Sequence, residues 1–111
     1  MNKEKILKYT IKGEATLKQA MELIEENQHR SLIVVDDKEC VIGTLSDGDI
    51  RKAVLRDGLT ITKVHSIMNL DFQYIKKGEE GKSEEIFLKT HVFLIPVIDR
   101  KGKLVDILES Y

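Results

Sequence analysis

Tryptophan is absent from this 111-residue sequence, and aromatic side chains make up only 5% of it. There is one cysteine, Cys40, and one proline, Pro96. A lone thiol excludes an internal disulfide framework and a thiolate zinc cluster, and it fits a reducing cytosol, so a cytoplasmic protein is expected. The proline sits inside an apolar run and marks no linker. A surplus of one charge is missing too. Eighteen basic and nineteen acidic residues leave a formal net charge of −1, too weak a field to gather a polyanion, so no nucleic-acid partner is expected. No apolar run approaches the roughly 18 residues of a membrane span. The start, Met1-Asn2-Lys3-Glu4-Lys5, is charged and has no apolar stretch of a signal peptide behind it, so no membrane partner is expected. No serine, cysteine or threonine stands with a credible base, and there is no glycine-lysine phosphate loop, so these residues promise no catalysis of their own.

Hydrophobic residues make up 41% and charged residues 33% of the chain, enough for a core and against a wholly disordered chain. The length allows one domain, or two small halves with room for one modest pocket. Ile6 to Ile11 is a short mixed run that reads as a strand. Thr16-Leu17-Lys18-Gln19 has the pattern of a capping box. Leu17, Ala20, Met21 and Ile24 recur at helical spacing, so an amphipathic helix is expected from Thr16 to about Asn27. Ser31 to Val35 is continuous and largely β-branched, the pattern of a strand buried on both faces. Asp36-Asp37-Lys38-Glu39 is a turn, and Cys40 to Leu45 is a second strand completing a hairpin. Ser46 to about Arg56 is a second helix with Ile50, Ala53 and Val54 on one face. Gly58 stands where a C-cap glycine would.

The order then begins again. A shift of 63 residues overlays the pattern without a gap, setting Leu7 on Leu70, Tyr9 on Phe72, Ile11 on Tyr74 and Val34 on Val97. Counted from Lys5, only six of the 44 paired positions are identical, so the in-phase return of apolar character carries the argument. Two copies of roughly 60 residues imply two half-domains packed on each other, residues 1–62 and 63–111. The second copy stops before the counterpart of the helix at 46–56, which suggests the front part of a longer parent.

The stretch Gly43-Thr44-Leu45-Ser46-Asp47-Gly48-Asp49-Ile50-Arg51-Lys52 is the most informative. It sets a strand end, a serine and an aspartate at the mouth of a helix, where unpaired amides favour an anion such as phosphate. The Ser46 hydroxyl would add a donor. The Asp49 carboxylate only accepts hydrogen bonds, which suits the two hydroxyls of a ribose. Gly43 would let a ligand approach the strand backbone, and Arg51 and Lys52 could reach phosphates from the first turn. The competing reading is a plain helix cap, because Ser-x-x-Asp resembles a capping box.

A repeat of about 60 residues, ordered strand-helix-strand-strand-helix with Gly-x-x-Ser/Thr-x-x-Asp after its last strand, resembles the CBS domain. Two in tandem form a Bateman module, and the resemblance covers nearly the whole chain from about Lys5. It implies an α/β fold in which each repeat packs helices on one face of a small mixed sheet. The two repeats would meet about a pseudo-twofold axis, the second lacking its last helix, and a homodimer would form through helical faces. It also implies regulation of an attached enzyme by an adenine nucleotide, AMP, ADP or ATP, with no obligatory cofactor and with Mg²⁺ only alongside ATP. By that resemblance Asp49 takes the ribose, Ser46 the phosphate side, and Gly43 the motif glycine, with Thr44 and Leu45 between them. Backbone near Ile11 and Lys12, with Ser31, Leu32 and Ile33, would sandwich the base, and Arg30 would face phosphate. In the second copy Asp106 replaces Gly43, Glu109 replaces Ser46, and the counterpart of Asp49 lies past Tyr111. One competent site is therefore expected, built on the first repeat and walled by the second.

The same stretch, with Ile67-Met68-Asn69, is similar to CBS pairs that precede sugar-phosphate nucleotidyltransferases. Asp-Gly-Asp-Ile-Arg also looks like the C-terminal pair of arabinose-5-phosphate isomerases. A Met1 directly ahead of the first repeat favours the first arrangement, with a catalytic domain after Tyr111. Two other readings stand: a dimerisation platform that binds nothing, and a stand-alone protein binding S-adenosylmethionine or a nucleic acid. His29, His65 and His91 lack the spacing of a zinc site, and Asp47 with Asp49 lacks that of a calcium loop. His29 is expected at the surface, Cys40 as a buried inert thiol, Lys76 to Lys82 as a solvated loop, and Met21 and Met68 in the core or at a partner interface.

Overall fold

The computed structural model describes residues 3–58 and 62–111; Met1 and Asn2 of the charged start lie outside them. A helix α1 (Lys3–Tyr9) leads into a short strand β1 (Thr10–Lys12). The strand expected from Ile6 is thus a helix up to Tyr9. Glu4 in its first turn and Lys8 in its last match the helix dipole, and Tyr9 at its end is buried. Next come α2 (Leu17–Asn27), β2 (Ser31–Val35), β3 (Val41–Ser46) and α3 (Asp47–Asp57). Thr16 caps α2 as its sequence predicts: its hydroxyl accepts from the Gln19 amide, and the Gln19 side chain accepts from the Thr16 amide. Gly58 follows α3 at a φ of +76°, a conformation that side chains resist. The second half supplies β4 (Ile75–Lys76), α4 (Ser83–Lys89), β5 (Leu94–Ile98) and β6 (Leu104–Glu109). Among the described residues no helix is long and apolar enough to cross a membrane.

Each half holds a three-stranded mixed sheet, ordered β1-β2-β3 and β4-β5-β6. In both, the first pair is parallel and the second antiparallel. The β2–β3 register returns in β5–β6 at the 63-residue shift, irregularity included: Val34 opposite Gly43 becomes Val97 opposite Asp106. The overlay is not gapless at the first strand. Ile11 pairs with Val34, but Ile75 rather than Tyr74 pairs with Val97. Ile75 is 3% exposed and Tyr74 46%. Side chains alternate across a strand, so a single-residue slip decides which of the two is buried. The second half's helix is also shorter, because Glu80 stands where the first half has Leu17. A 3₁₀ turn (Glu80–Lys82) precedes α4 in place of a capped first turn.

Strand β2 is covered on both faces, as its composition predicts. Leu32 and Val34 pack with Leu17, Ala20, Ile24, Leu45 and Ile50 of their own half. Ile33 and Val35 face the other way, onto Tyr9, Leu94 and Ile107, and so join the two sheets. Ile75, Ile95 and Val97 form a third core under α4. The leading segment of each half reaches the other half or closes over its neighbour. Lys5 and Tyr9 bond to Asp106 and Glu109 on β6. Asn69 exchanges two backbone bonds with Thr44 on β3, at 2.7 and 3.1 Å.

The hairpin turns show why some identities persist. Asp36 Oδ1 accepts from the amides of Lys38 (2.8 Å) and Cys40 (3.0 Å), and Asp99 Oδ1 does the same with Lys101 (2.8 Å) and Lys103 (3.0 Å). These amides, Cys40 and Lys103 foremost, hold both carboxyls below the ordinary range. The two turns also clasp each other. The Val41 amide donates to the Gly102 carbonyl and the Leu104 amide to the Glu39 carbonyl, both at 3.0 Å. Cys40 sits beside this clasp, half-exposed rather than buried, with its thiol 3.6 Å from the Lys101 carbonyl.

Candidate functional site

A cleft of about 520 Å³ opens between the halves. Its floor is the start of β2 and the end of β3, and one side is the first turn of α3. The other side comes from the second half: the segment around Asn69, Asp71 and Gln73, and the approach to β5 from Thr90 to Leu94. Of the residues singled out from sequence, Arg30, Ser31, Leu32 and Ile33 line it, as do Thr44, Leu45, Ser46, Asp49 and Arg51. Four do not. Ile11 and Lys12 line a separate shallow depression against α2, and Lys52 lies on the exposed outer side of α3. Gly43 is buried under Met68: a Cβ there would lie 2.8 Å from the Met68 sulfur and 3.1 Å from the Asn69 carbonyl oxygen. The missing side chain makes room for the protein's own segment and not for a ligand.

The first turn of α3 is more occupied than the sequence suggests. Asp49 Oδ2 accepts from the Ser46 amide and from the Ser46 hydroxyl, each at 2.9 Å, and the Asp49 amide donates to the Ser46 oxygen at 3.1 Å. The Asp47 amide donates to the Arg30 carbonyl at 2.9 Å. The Ser46 proton is thereby spent within the cap, and the helix mouth offers the Gly48 amide rather than a full anion nest. Asp49 Oδ1 takes part in none of these bonds. Positive charge comes from side chains. The Arg30 guanidinium lies 5.7 Å from the centroid of the Phe93 ring, and the Arg51 guanidinium folds back towards Gly48. Asp47 and Asp71 join Asp49 on the lining, and His91 stands opposite. Sequence reasoning missed the wall residues Phe93 and His91. The signal was present, since Phe93 is the 63-residue counterpart of Arg30.

The equivalent place in the second half is filled. His29, expected at the surface, is 9% exposed. Its ring stacks on Tyr111 (centroids 4.5 Å apart, planes at 14°) and meets the edge of Tyr9 at 5.2 Å. The Tyr9 hydroxyl donates to Glu109 at 2.7 Å, with His29 Nδ1 at 3.0 Å from it, and His29 Nε2 lies 2.7 Å from the Tyr111 carbonyl oxygen. Burial first, then Glu109, pushes the Tyr9 phenol well above its ordinary value. In return the Tyr9 hydroxyl, helped by Lys5, holds the Glu109 carboxyl low against its partial burial. The Ser110 amide donates to the Phe93 carbonyl at 3.0 Å, matching the Asp47–Arg30 bond at the twofold-related position. Backbone symmetry is kept while side chains close one of the two clefts.

Residues 1–56, covering the first hairpin and most of α3, match the CBS domain family. The chain belongs to that family. Its CBS fold is that of a pair, as solved structures show over nearly its full length. The acetoin utilization protein AcuB of Vibrio cholerae superposes with a TM-score of 0.80 over 91% of this chain and 76% of its own, at 24% identity. CBSX2 in complex with AMP gives 0.74 over 92% and 81%, also at 24% identity. The CBS domain pair of protein MJ0100, solved with 5′-methylthioadenosine and S-adenosyl-L-methionine, gives 0.75 over 92% and 81% at 20% identity. Among curated sequences, a homoserine O-acetyltransferase of Methanococcoides burtonii is 28% identical over 91% of this chain, and the arabinose 5-phosphate isomerase GutQ of Escherichia coli 31% over 64%. The CBS chain spans only 20% and 22% of those two relatives' lengths.

Proposed function

We propose that this CBS pair, with repeats at 1–62 and 63–111, is a regulatory module that binds one adenine nucleotide in the cleft beside Asp49. The observation that carries this reading is that Arg30, Asp49 and Arg51 line one cleft whose twin is filled. Asp49 accepts from the ribose, the two arginines take phosphate, and the backbone at Leu32, Ile33 and Leu45 with the Phe93 wall receives the base. Structural neighbours solved with AMP, with S-adenosylmethionine and, in the magnesium channel MgtE, with ATP support this ligand class. Two arginines set against three aspartates suit a single phosphate, so AMP is favoured over ADP and ATP, and Mg²⁺ enters only with ATP.

The module acts in the cytoplasm on an attached catalytic domain, for which we favour a sugar-phosphate enzyme. The similarity of the motif supports a nucleotidyltransferase, and an isomerase such as the relative GutQ is the alternative. Exposed Leu7, Leu55 and Leu88 on α1, α3 and α4 support a homodimer through helical faces. The complete Ser46–Asp49 cap favours a second reading, a platform that binds nothing. Isothermal titration with AMP, ADP and ATP decides between them. Saturable binding, tightest for AMP and lost in Asp49→Ala with unchanged circular dichroism, is expected. No heat at millimolar nucleotide would establish the platform.

A further inference from the structure

The turn Gln28-His29-Arg30 has one residue on each side of the molecule's two related sites. Arg30 lines the open cleft, and His29 lies in the filled one. Gln28 and Arg30 both adopt left-handed conformations, with φ of +58° and +60°. Neither is glycine, so the turn is held in an uncommon state by what surrounds it. Its contacts are specific. The Gln28 carbonyl accepts from the Tyr111 hydroxyl at 3.0 Å. The Arg30 carbonyl accepts from the first amide of α3. The Arg30 guanidinium rests against Phe93, and the Phe93 ring meets Tyr111 edge-on at 6.0 Å. Tyr111 is therefore one contact away from the cleft through Phe93, and it also holds the turn that carries Arg30 through His29 and Gln28.

We propose that the Gln28–Arg30 turn and Phe93 relay occupancy of the cleft to Tyr111, so that the docking of Tyr111 reads out the bound ligand. The inference rests on the nucleotide reading of the cleft and adds its direction of transmission. A ligand shifts an equilibrium only by interacting differently with its two states, and Arg30 supplies that difference. Without a ligand its guanidinium lies on the Phe93 ring. A phosphate in the cleft competes for the same guanidinium, because an ionic hydrogen bond is stronger than a partly exposed cation–π contact. Drawing Arg30 off the ring uncovers one face of Phe93 and so frees the ring whose edge contact holds Tyr111. Coupling is reciprocal, so loosening Tyr111 must change ligand affinity by the same factor.

The test titrates AMP into the 111-residue protein, uniformly ¹⁵N-labelled and carrying ¹³C-labelled tyrosine and histidine rings. Tyr111 and His29 ring signals are expected to shift along the same saturation curve as the Ser46 and Asp49 amides. Amides of the Asp99–Lys103 turn, at the far end of the β5–β6 hairpin, should stay still. Tyr111→Ala, and Tyr111→Phe if the alanine variant is poorly folded, should alter AMP affinity, by about fivefold or more for the alanine. Saturable AMP binding with unmoved Tyr111 and His29 rings, and unchanged affinity in both variants, overturns the relay and leaves the cleft reading intact. Absence of any AMP-dependent shift at Ser46 and Asp49 overturns the cleft reading, and the relay with it.

Discussion

Replacing Gly43 by alanine tests whether the motif glycine serves the ligand or the fold. A Cβ at position 43 would lie 2.8 Å from Met68 Sδ, 2.9 Å from Met68 Cγ and 3.1 Å from the Asn69 carbonyl oxygen. Carbon contacts settle near about 3.5–4.0 Å, so Met68 must retreat by roughly 0.7 Å or more. A thioether chain can give way. The Asn69 carbonyl is less free, because it accepts from the Thr44 amide in a two-bond bridge. The expected loss is about 1–2 kcal/mol, the lower part of the range for overpacking. Met68→Ala strips a half-buried side chain from the first core and should cost about 1–2 kcal/mol, less than a fully buried methionine. In the double variant the new methyl sits in the vacated space. The combined loss should fall short of the sum by about 1 kcal/mol. Urea unfolding at constant m-value measures all three. Losses that add within about 0.3 kcal/mol would refute the packing account. So would a Gly43→Ala protein of unchanged stability that no longer binds AMP, which would return the glycine to the ligand.

Two further outcomes follow from the caps and the filled cleft. Thr16→Ala and Ser46→Ala each remove a capping oxygen and should each lower stability by about 1 kcal/mol; calorimetric titration should find AMP affinity reduced in the second variant alone. Glu109 has a folded-state pKa below its unfolded value, chiefly because of the Tyr9 hydroxyl. Its contribution is therefore present above the ordinary carboxylate value and is lost as pH falls from there through the lowered folded value. In Glu109→Gln the melting temperature should drop less steeply between about pH 5 and pH 3 than in the parent, and an unchanged acid limb would deny Glu109 that role.

Much of this architecture could be read from residue order. The Thr16–Gln19 box, the doubly buried run at Leu32–Val35 and the glycine after α3 each express a local rule with a local cause. Ile6–Ile11 misled because a seven-residue helix has too few turns to display its period, and burial of Tyr9 against the other half decides its form. The slip between Tyr74 and Ile75 escaped because both residues are acceptable in a strand, and only the partner strand distinguishes them. At the site, residues contiguous with the Ser46–Asp49 turn were legible, whereas the opposite wall depends on how two sheets meet. His29 was misjudged for the same reason: its neighbours Tyr9, Glu109 and Tyr111 are brought to it by the twofold arrangement. Gly43 shows that a motif position can be right while the occupant of its empty space is wrong.

The clasp between the hairpin turns uses only peptide groups, Val41 to Gly102 and Leu104 to Glu39. An attachment written in the main chain is indifferent to which side chains hang from it, proline excepted. The two copies have therefore been free to drift until six matched residues remain, without losing their mutual orientation. That freedom lets one copy keep an open cleft while the other fills its hollow with side chains, although both hairpins hold the same register.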